Sequence, residues 1–314
     1  KGRVGIRKRI GTVKSRGMPA VNGFLNIDKP TGISSYDVIR RIKPFLPKTK
    51  LGHLGTLDPM ASGVLPIAVG YATRLIGYIS DNTKEYQAEM VLGGVTDTQD
   101  RTGRITPVCG EPVPEVLISQ ALEQMVGEIE QVPPMYSAVH HQGRRLYELA
   151  REGAQVPVKP RPVTVHYLRL QEVTWENNQQ IVRFVMGCSS GTYVRTICHD
   201  VGQHLGCGAY LNSLIRLRSG PFKIDVARNL DSLTSTPEDI NASLMPPDFP
   251  LQEITRVELE PPQAWAVNNG SPVAWPGVIN DELYRVYDQK GELLAMARGR
   301  DGHMLQPERV LTRG

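Results

Sequence analysis

The sequence has 314 residues, of which 40% are hydrophobic and 22% charged, a composition typical of a soluble globular protein. No run approaches the roughly 18 consecutive apolar residues of a membrane span, and no apolar signal-peptide core follows the basic N-terminus, so we expect a cytoplasmic protein that does not bind membranes. The formal net charge of +4 does not by itself predict nucleic-acid binding, because residues 1–17 hold 7 of the 36 basic residues and leave 29 against 32 acidic ones.

The first predicted elements are, in chain order, a disordered basic arm or added prefix (1–18), a strand (23–28), a turn (29–32), a helix that opens at Ser34, a Gly-rich loop (51–62) and a buried strand (64–69). Ser34 and Asp37 have the spacing of a helix-capping box. Lys29 to Gly32 has turn chemistry, and the apolar run after Gly63 is typical of a strand buried on both faces.

The next predicted elements are a strand with one inward face (86–92), a helix (115–126), a loop-rich basic insertion (133–162), two antiparallel strands (163–175 and 181–186) and a helix (192–205). Tyr86, Ala88 and Met90 alternate with other residues, as expected for a strand. Gly206 is a suitable C-cap for the last helix.

The C-terminal region predicts a linker followed by a small domain. Residues 234–251 contain four prolines. The region after them is short, is rich in predicted strands and contains glycines that separate those strands. Strands and helices without a regular βαβ repeat make the large domain α+β. We place the catalytic domain at 19–247 and the C-terminal domain at 248–314.

Three local clusters of basic residues predict RNA contacts. They are Arg40, Arg41, Lys43, Lys48 and Lys50; Arg144, Arg145 and Arg151; and Arg216, Arg218 and Lys223. Such clusters suit phosphate contacts on one face of an otherwise near-neutral protein. Each cluster alone fits ordinary solvated charge equally well.

The sequence predicts neither a metal nor a cofactor. The four cysteines form no CxxC pair, and a zinc site that used His199 or His204 would have no common spacing, so we expect free thiols. Asp97 and Asp100 lie in a polar turn, but Gln99 and Arg101 stand where a calcium loop needs oxygen ligands.

Asp58 is the strongest candidate for chemistry. It precedes a proline, lies on a loop with glycines at positions 52, 55 and 63, and follows the first basic cluster. Glycines let another chain approach the backbone closely. From the residues alone, an aspartate that caps a turn or a helix remains an equally good interpretation.

Seven segments resemble TruB-family pseudouridine synthases, in the order in which that family has them. They are Leu25–Pro30 with Gly32 and Ser34, Gly52–Pro59, Lys84–Tyr86, Val95–Gly103, Pro134–Ala138, Gly191–Arg195 and Leu214–Leu217. The resemblance covers about residues 23–227 and implies a large mixed, mainly antiparallel sheet with flanking helices. The C-terminal region is similar to a PUA domain in position, size and strand pattern.

The resemblance implies an isomerase that converts a uridine in the T loop of tRNA, position 55, to pseudouridine. It implies a monomer that needs no cofactor and no protein partner, and it identifies the insertion at 133–162 as an RNA-gripping segment. Detaching uracil from C1′ and rejoining it through C5 involves no redox change, and a carboxylate can be the covalent partner.

The resemblance also implies a role for each candidate residue. Asp58 is the nucleophile, Arg195 the cation that keeps it ionised, and Tyr86 the ring that stacks on the flipped base and assists deprotonation at C5. The predicted substrate-binding residues are His53, which fills the gap left by the base, Tyr193 beside Arg195, Leu214 in the uracil pocket, and Lys29 and Pro30 behind the active-site loop.

Ordinary structural interpretations of these residues remain open at this stage. They are a surface arginine for Arg195, an inward strand residue for Tyr86, a core aromatic for Tyr193, an exposed histidine for His53, and core packing for Leu214 at helical spacing from Leu211 and Leu217.

Three other functions compete with a stand-alone synthase. An RNA-guided relative would need partner proteins, and a tRNA chaperone would need no nucleophile. A carboxylate-pair hydrolase would need a second acid in a comparable loop, which the sequence does not offer.

Overall fold

The computed structural model describes residues 21–108, 110–137, 139–154 and 156–311. The predicted N-terminal arm, Cys109 and Ala138 lie outside these ranges. None of the helices within them combines the length and the apolar character needed to cross a membrane.

The strands of the large domain are β1 (Gly23–Lys29), β2 (Leu51–His53), β3 (Ser62–Val69), β4 (Lys84–Leu92), β5 (Gly94–Thr96), β6 (Ile105–Pro107), β7 (Gly127–Gln131), β8 (His140–His141), β9 (Arg144–Arg145), β10 (Arg161–Glu176), β11 (Gln179–Cys188), β12 (Ala209–Ser219), β13 (Phe222–Lys223) and β14 (Arg228–Asn229). Ten of them form one sheet in the order β14-β1-β3-β12-β4-β11-β10-β7, with β2 on β3 and β13 on β12. In the described residues of this sheet only β1–β14 and β3–β12 pair in parallel. The predicted mixed, mainly antiparallel sheet is therefore confirmed.

The helices of the large domain are α1 (Ser35–Ile42), α2 (Glu115–Glu123), α3 (Leu146–Arg151), α4 (Val194–His204), α5 (Leu230–Leu233) and α6 (Pro237–Ala242). Short 3-10 turns lie at Lys43–Phe45, Gly70–Arg74, Ile76–Tyr78, Ile224–Val226 and Phe249–Leu251. Apolar residues of α1, α2 and α4 pack against the face of β4 that carries Tyr86, Ala88 and Met90. We call this the inner face of the sheet.

Several local predictions are confirmed. Ser34 and Asp37 form the capping box, each side chain accepting from the other's backbone N–H. Strands β10 and β11 are antiparallel, as predicted. Asn177 and Asn178, which join them, have φ of 51° and 61°, as a two-residue type I′ hairpin requires. Gly206 follows α4 with φ of 72°.

Three local predictions are wrong in detail. The Gly-rich loop starts later than predicted, because Leu51–His53 pairs with the end of β3 as a short strand. Helix α4 begins at Val194, two residues late. The leucines at 211, 214 and 217 lie in strand β12, where two bulges break the two-residue alternation and give an apolar spacing that mimics a helix.

The C-terminal residues form a second sheet, so the separate β-rich domain is confirmed. Its elements are β15 (Thr255–Leu259), α7 (Pro261–Asn268), β16 (Val273–Ala274), β17 (Leu283–Asp288), β18 (Leu293–Arg300) and β19 (Met304–Val310), with strand order β15-β17-β18-β19-β16. Helix α7 was not predicted, since two prolines at its start interrupt the apolar pattern. Prolines are well tolerated in a first helical turn.

A shared hydrophobic cluster, which we call the junction core, joins the two sheets. Its buried members are Phe24, Val64, Ala68, Ala72, Leu75, Ile79 and Phe222 from the large domain and Leu251, Tyr287, Leu293, Met296 and Leu311 beyond it. Asp248 accepts hydrogen bonds from Arg285 Nη1 at 3.0 Å and from the Tyr287 hydroxyl at 2.6 Å. The C-terminal sheet is thus packed directly on the large one.

Candidate active site

The loop that carries Asp58 connects β2 to β3 and is held from behind by the turn after β1. The Nζ of Lys29, a fully buried side chain, donates to the carbonyl oxygens of Pro30 at 2.9 Å, Ile33 at 2.7 Å and Pro59 at 3.5 Å. The N–H of Gly32 also donates to Pro59, at 2.7 Å. Lys29 therefore braces the loop, and Pro30 takes part through its carbonyl.

The start of α1 supports the same loop. Ser35 Oγ accepts from the N–H of Leu57 at 2.8 Å and donates to the Leu57 carbonyl at 3.1 Å. The residue next to Asp58 is thus fixed on both backbone groups. The Asp58 side chain itself keeps 34% of its surface exposed, so the carboxylate is held in place and still open to a substrate.

Arg195 meets Asp58 from the first turn of α4. Its Nη2 lies 3.2 Å from Asp58 Oδ2 and donates to the Tyr136 carbonyl at 2.9 Å, and the side chain is only 5% exposed. A cation in the first turn of a helix opposes the helix dipole, so it needs a compensating anion. The sequence placed these residues in one site, and the structure brings them into an ion pair.

Asp100 is a second acid in this site that the sequence analysis missed. Its carboxylate is 5% exposed and lies 3.8 Å from Arg195 Nη1, on the side away from Asp58. Thr98 and Thr102 hydroxyls donate to it at 2.9 and 2.5 Å. The sequence analysis assigned Asp100 only to a polar turn and did not connect it with Asp58 and Arg195. Asp100 is tied to Arg195 and the threonines, as suits a group that orients the guanidinium.

Electrostatics in the site act in both directions on Asp58. Burial raises the pKa of the Asp58 carboxyl, the Arg195 guanidinium opposes this rise most strongly, Asp100 adds to it, and Lys29 lowers it slightly. Burial also lowers the pKa of Lys29 to about 8. Arg195 differs from Lys29 because a guanidinium stays protonated even when it is buried.

Tyr86 and Leu214 lie side by side on the inner face. Both side chains are 8% exposed, Tyr86 on β4 and Leu214 on β12, and Leu214 is paired in register with Ala88, two residues along from Tyr86. Diagonal neighbours on adjacent strands are about 7–8 Å apart, close enough for an aromatic ring to contact a leucine. Burial raises the pKa of the Tyr86 hydroxyl, and Arg216 opposes that rise.

Tyr193 and His53 border the site. The Arg195 guanidinium lies 5.7 Å from the centroid of the Tyr193 ring. Gln131 fixes Tyr193 by accepting from its N–H at 2.7 Å and donating to its carbonyl at 3.1 Å. The His53 ring is partly buried, and its Nδ1 has no hydrogen-bond partner among the described residues. Burial lowers the pKa of the His53 imidazole, and the positive charge of Arg216 lowers it further. His53 is therefore a neutral ring near neutral pH.

The basic clusters are only partly at the surface. Arg40 and Arg41 side chains are 70% and 47% exposed, and Arg144, Arg145 and Arg151 are exposed on the insertion. Arg216, by contrast, is 1% exposed. Its assignment to a phosphate-binding cluster is wrong, because a buried guanidinium cannot reach an RNA backbone.

The arrangement offers covalent chemistry on a planar base. It combines a carboxylate that is partly open to solvent, a guanidinium paired with it, and an aromatic and an aliphatic side chain on one wall. Within the described ranges, no group of three His, Cys, Asp or Glu side chains is placed to hold a metal ion.

Comparisons with known proteins cover nearly the whole chain. The family model "TruB family pseudouridylate synthase (N terminal domain)" matches residues 43–194, "tRNA pseudouridylate synthase B C-terminal domain" matches 195–252, and "Pseudouridine synthase II TruB, C-terminal" matches 255–311. The tRNA pseudouridine synthase B of Syntrophomonas wolfei is 46% identical over 294 residues, 92% of this chain and 98% of the relative. That of Moorella thermoacetica is 39% identical over 305 residues, 93% and 99% of the two chains.

Two solved structures share the fold of this chain at lower sequence identity. A chain of a Cbf5-Nop10-Gar1 complex superposes with a TM-score of 0.68 and 29% identity, covering 92% of this chain and 85% of the other. A chain of an H/ACA RNP bound to a substrate RNA containing 2′-deoxyuridine has a TM-score of 0.68 and 28% identity, with coverage of 93% and 85%.

Proposed function

The chain belongs to the TruB family of tRNA pseudouridine synthases and is an isomerase, and from that premise we propose that it converts the uridine at position 55 in the T loop of tRNA to pseudouridine, with Asp58 as the covalent nucleophile. The observation that carries the proposal is the ion pair between Asp58 and Arg195, whose charged atoms are 3.2 Å apart. The loop that carries Asp58 is held by Lys29 and by Ser35, and the carboxylate remains partly exposed to solvent.

The reaction needs a nucleophile, a place to turn the base, and a route for one proton. The C1′–N1 bond breaks and a C1′–C5 bond forms, so N1 gains a proton and C5 loses one, with no net change in composition. Asp58 forms the transient covalent bond. Burial raises the pKa of Asp58, and the Arg195 guanidinium opposes that rise, which favours the ionised carboxylate that the attack requires.

In the proposed reaction, Tyr86 and Leu214 hold the detached uracil. Flipping a stacked base costs a few kcal/mol, and stacking on an aromatic ring returns about 1–3 kcal/mol. We assign the stacking ring to Tyr86, the apolar wall to Leu214, and the group that fills the gap left by the base to His53. Tyr193 sets the edge of the pocket beside Arg195, and Lys29 and Pro30 brace the loop.

RNA binding is assigned to three parts of the chain. They are the exposed Arg40 and Arg41, the insertion at 133–162 with its exposed arginines, and the PUA-like C-terminal domain. The insertion also contacts the candidate active site, because the Tyr136 carbonyl accepts a hydrogen bond from Arg195. RNA that binds the insertion would thereby help to orient the guanidinium that pairs with Asp58.

The stand-alone mode is favoured over an RNA-guided one. Relatives named tRNA pseudouridine synthase B match over 98–99% of their own length, whereas the solved neighbours named above come from complexes with other proteins and are 28–29% identical. The purified chain should therefore modify a bare T-arm hairpin. Activity only after guide RNA and partner proteins are added would support the guided mode instead.

Asp58→Asn tests the assignment of the nucleophile. Asparagine keeps the size and most hydrogen bonding but removes the charge and the nucleophile, so tritium release from a 5-tritiated T-arm hairpin should fall by several orders of magnitude. Affinity for the hairpin should be unchanged or slightly higher, since one acidic charge near RNA is gone.

A matched control is Asp288→Asn, a turn aspartate in the C-terminal sheet that accepts from the N–H groups of Lys290 and Glu292. It should keep the wild-type rate. Near wild-type turnover by Asp58→Asn would show that the nucleophile is wrongly assigned, and loss of RNA binding together with turnover would show that Asp58 is structural.

A further inference from the structure

Arg216 is the largest fully buried side chain in the described part of the protein. A guanidinium remains charged when it is buried, and the loss of its hydration is costly unless other groups replace it. Arg216 takes part in none of the ion pairs found among the described residues. Its charge is instead surrounded by backbone carbonyl oxygens.

Those carbonyls belong to the segment that leads to Asp58. Arg216 Nε donates to Val64 at 2.7 Å, Nη2 to Gly55 at 3.1 Å, and Nη1 approaches the Thr56 carbonyl at 3.5 Å. One side chain therefore joins the start of β3 to the loop three residues before Asp58. The planar guanidinium of an arginine holds its donors in a rigid fork that spans several acceptors, whereas a lysine ends in a single nitrogen without that fork.

Arg216 also lies beside Tyr86. The two residues are paired in register across β12 and β4, and the Arg216 guanidinium opposes the rise that burial causes in the pKa of the Tyr86 hydroxyl. On its other side Arg216 is paired with Gly63, which has φ of 99° and where a Cβ would collide with the Arg216 backbone. The strand can lie this close to β3 only because position 63 is glycine.

We propose that Arg216 is a positioning residue for the reaction, which fixes the Gly55–Thr56 backbone relative to Asp58 and orients the Tyr86 hydroxyl by donating to its oxygen. The proposal rests on the proposed function, in which Asp58 and Tyr86 both face the uracil. In the proposed arrangement the phenol oxygen accepts from Arg216, so the hydroxyl proton is directed away from Arg216. The two groups on either side of the uracil are thus held by one buried side chain.

A double-mutant cycle between Arg216→Lys and Tyr86→Phe tests this role. The readout is the single-turnover rate of tritium release from a T-arm hairpin at saturating enzyme, with hairpin affinity measured in parallel. Arg216→Lys keeps the charge but loses the fork, so the rate should fall about 10- to 100-fold, the range for losing one charge-assisted hydrogen bond. Affinity should stay within about threefold, because Arg216 does not reach the surface.

The decisive comparison is between the rate loss that Arg216→Lys causes in the wild-type protein and the loss that it causes in the Tyr86→Phe variant. In Tyr86→Phe the hydroxyl is already absent, so Arg216→Lys should cost at least about threefold less there than in the wild type. An equal loss in both backgrounds, or a wild-type rate for Arg216→Lys, would overturn the proposal. An equal loss of affinity and rate would also overturn it, since that is the result of general damage to the fold.

Arg183→Lys is the matched control. Arg183 lies on β11, in the same sheet, and its guanidinium binds Glu89, Glu172 and Glu176 at 2.6–2.8 Å. Its replacement loses an arginine fork without touching the loop or Tyr86, and it should keep the wild-type rate. All rates are compared at a temperature at which circular dichroism shows each variant folded.

Failure of the proposed function is recognised separately. It would appear as a wild-type protein that releases no tritium or as an active Asp58→Asn variant. With those two controls normal, the behaviour of Arg216→Lys reports on Arg216 alone.

Discussion

Replacing Arg195 by methionine tests the electrostatics of the site, because methionine keeps much of the apolar stem and removes the charge. Two unit charges 3.2 Å apart interact by about 5 kcal/mol at an effective dielectric constant near 20. Asp58 is 34% exposed, so solvent screening reduces this to about 2–3 kcal/mol. Removing the guanidinium takes away the interaction that opposes the effect of burial, so the pKa of Asp58 should rise.

The sign of the effect is fixed by the chemistry of the nucleophile. A carboxylate attacks only when ionised, so activity is present above the pKa of Asp58 and lost as the pH falls through it. In Arg195→Met the acid limb of the pH–rate profile should therefore move to higher pH. The rate at neutral pH should fall by more than about 100-fold, since the shift and the loss of orientation act together, and should recover in part at higher pH.

The assay is single-turnover tritium release from a T-arm hairpin between pH 5 and 9. Arg195→Lys is the matched variant, because it keeps the charge and loses the contacts to Tyr136 and Asp100. Its acid limb should stay near that of the wild type while its rate is lower at every pH. An Arg195→Met variant with an unmoved acid limb would refute the electrostatic role of Arg195.

Two further predictions concern RNA binding and the C-terminal domain. Hairpin affinity should fall steeply with salt, with a log–log slope of about −3 or steeper in filter binding, because each neutralised phosphate contributes about −0.7 to −0.9; a flat dependence would show that the basic clusters do not touch the backbone. A chain that ends at Asp248 should keep its saturated rate but bind RNA more weakly and melt about 10 °C lower. Uncovering Phe24 and Phe222 costs roughly 3–6 kcal/mol; a folded truncation with normal affinity and no turnover would contradict this division of roles.

Local signals account for what the sequence predicted correctly about the fold. The capping box at Ser34, the helix end at Gly206 and the alternation around Tyr86 each depend on residues a few positions apart. Such patterns are reliable because the local backbone geometry that they favour agrees with the geometry of the whole fold. The strand Leu51–His53 was missed because its pairing with β3 is a tertiary contact.

The site was predicted from the resemblance to a family rather than from spacing. Asp58 and Arg195 are 137 residues apart, and no local pattern joins them. Arg216 was misassigned for the same reason: its acceptors Val64 and Gly55 lie 152 and 161 residues away, so in the sequence it looks like one more surface arginine. Had residues 209–219 been recognised as a strand, Leu214 and Arg216, two apart, would have been placed together on the inner face.

The junction core makes β1 a strut between two distant parts of the molecule. Phe24, near one end of the strand, packs against the C-terminal sheet, and Lys29, at the other end, holds the Pro59 carbonyl next to Asp58. A strand of 7 residues spans about 20 Å and does not bend freely within a sheet. A ligand bound to the C-terminal sheet is therefore held at a set distance from Asp58. It follows that the C-terminal domain is not an exchangeable module: grafting a relative's domain onto this chain should succeed only if the residues that face Phe24 and Phe222 are transplanted with it.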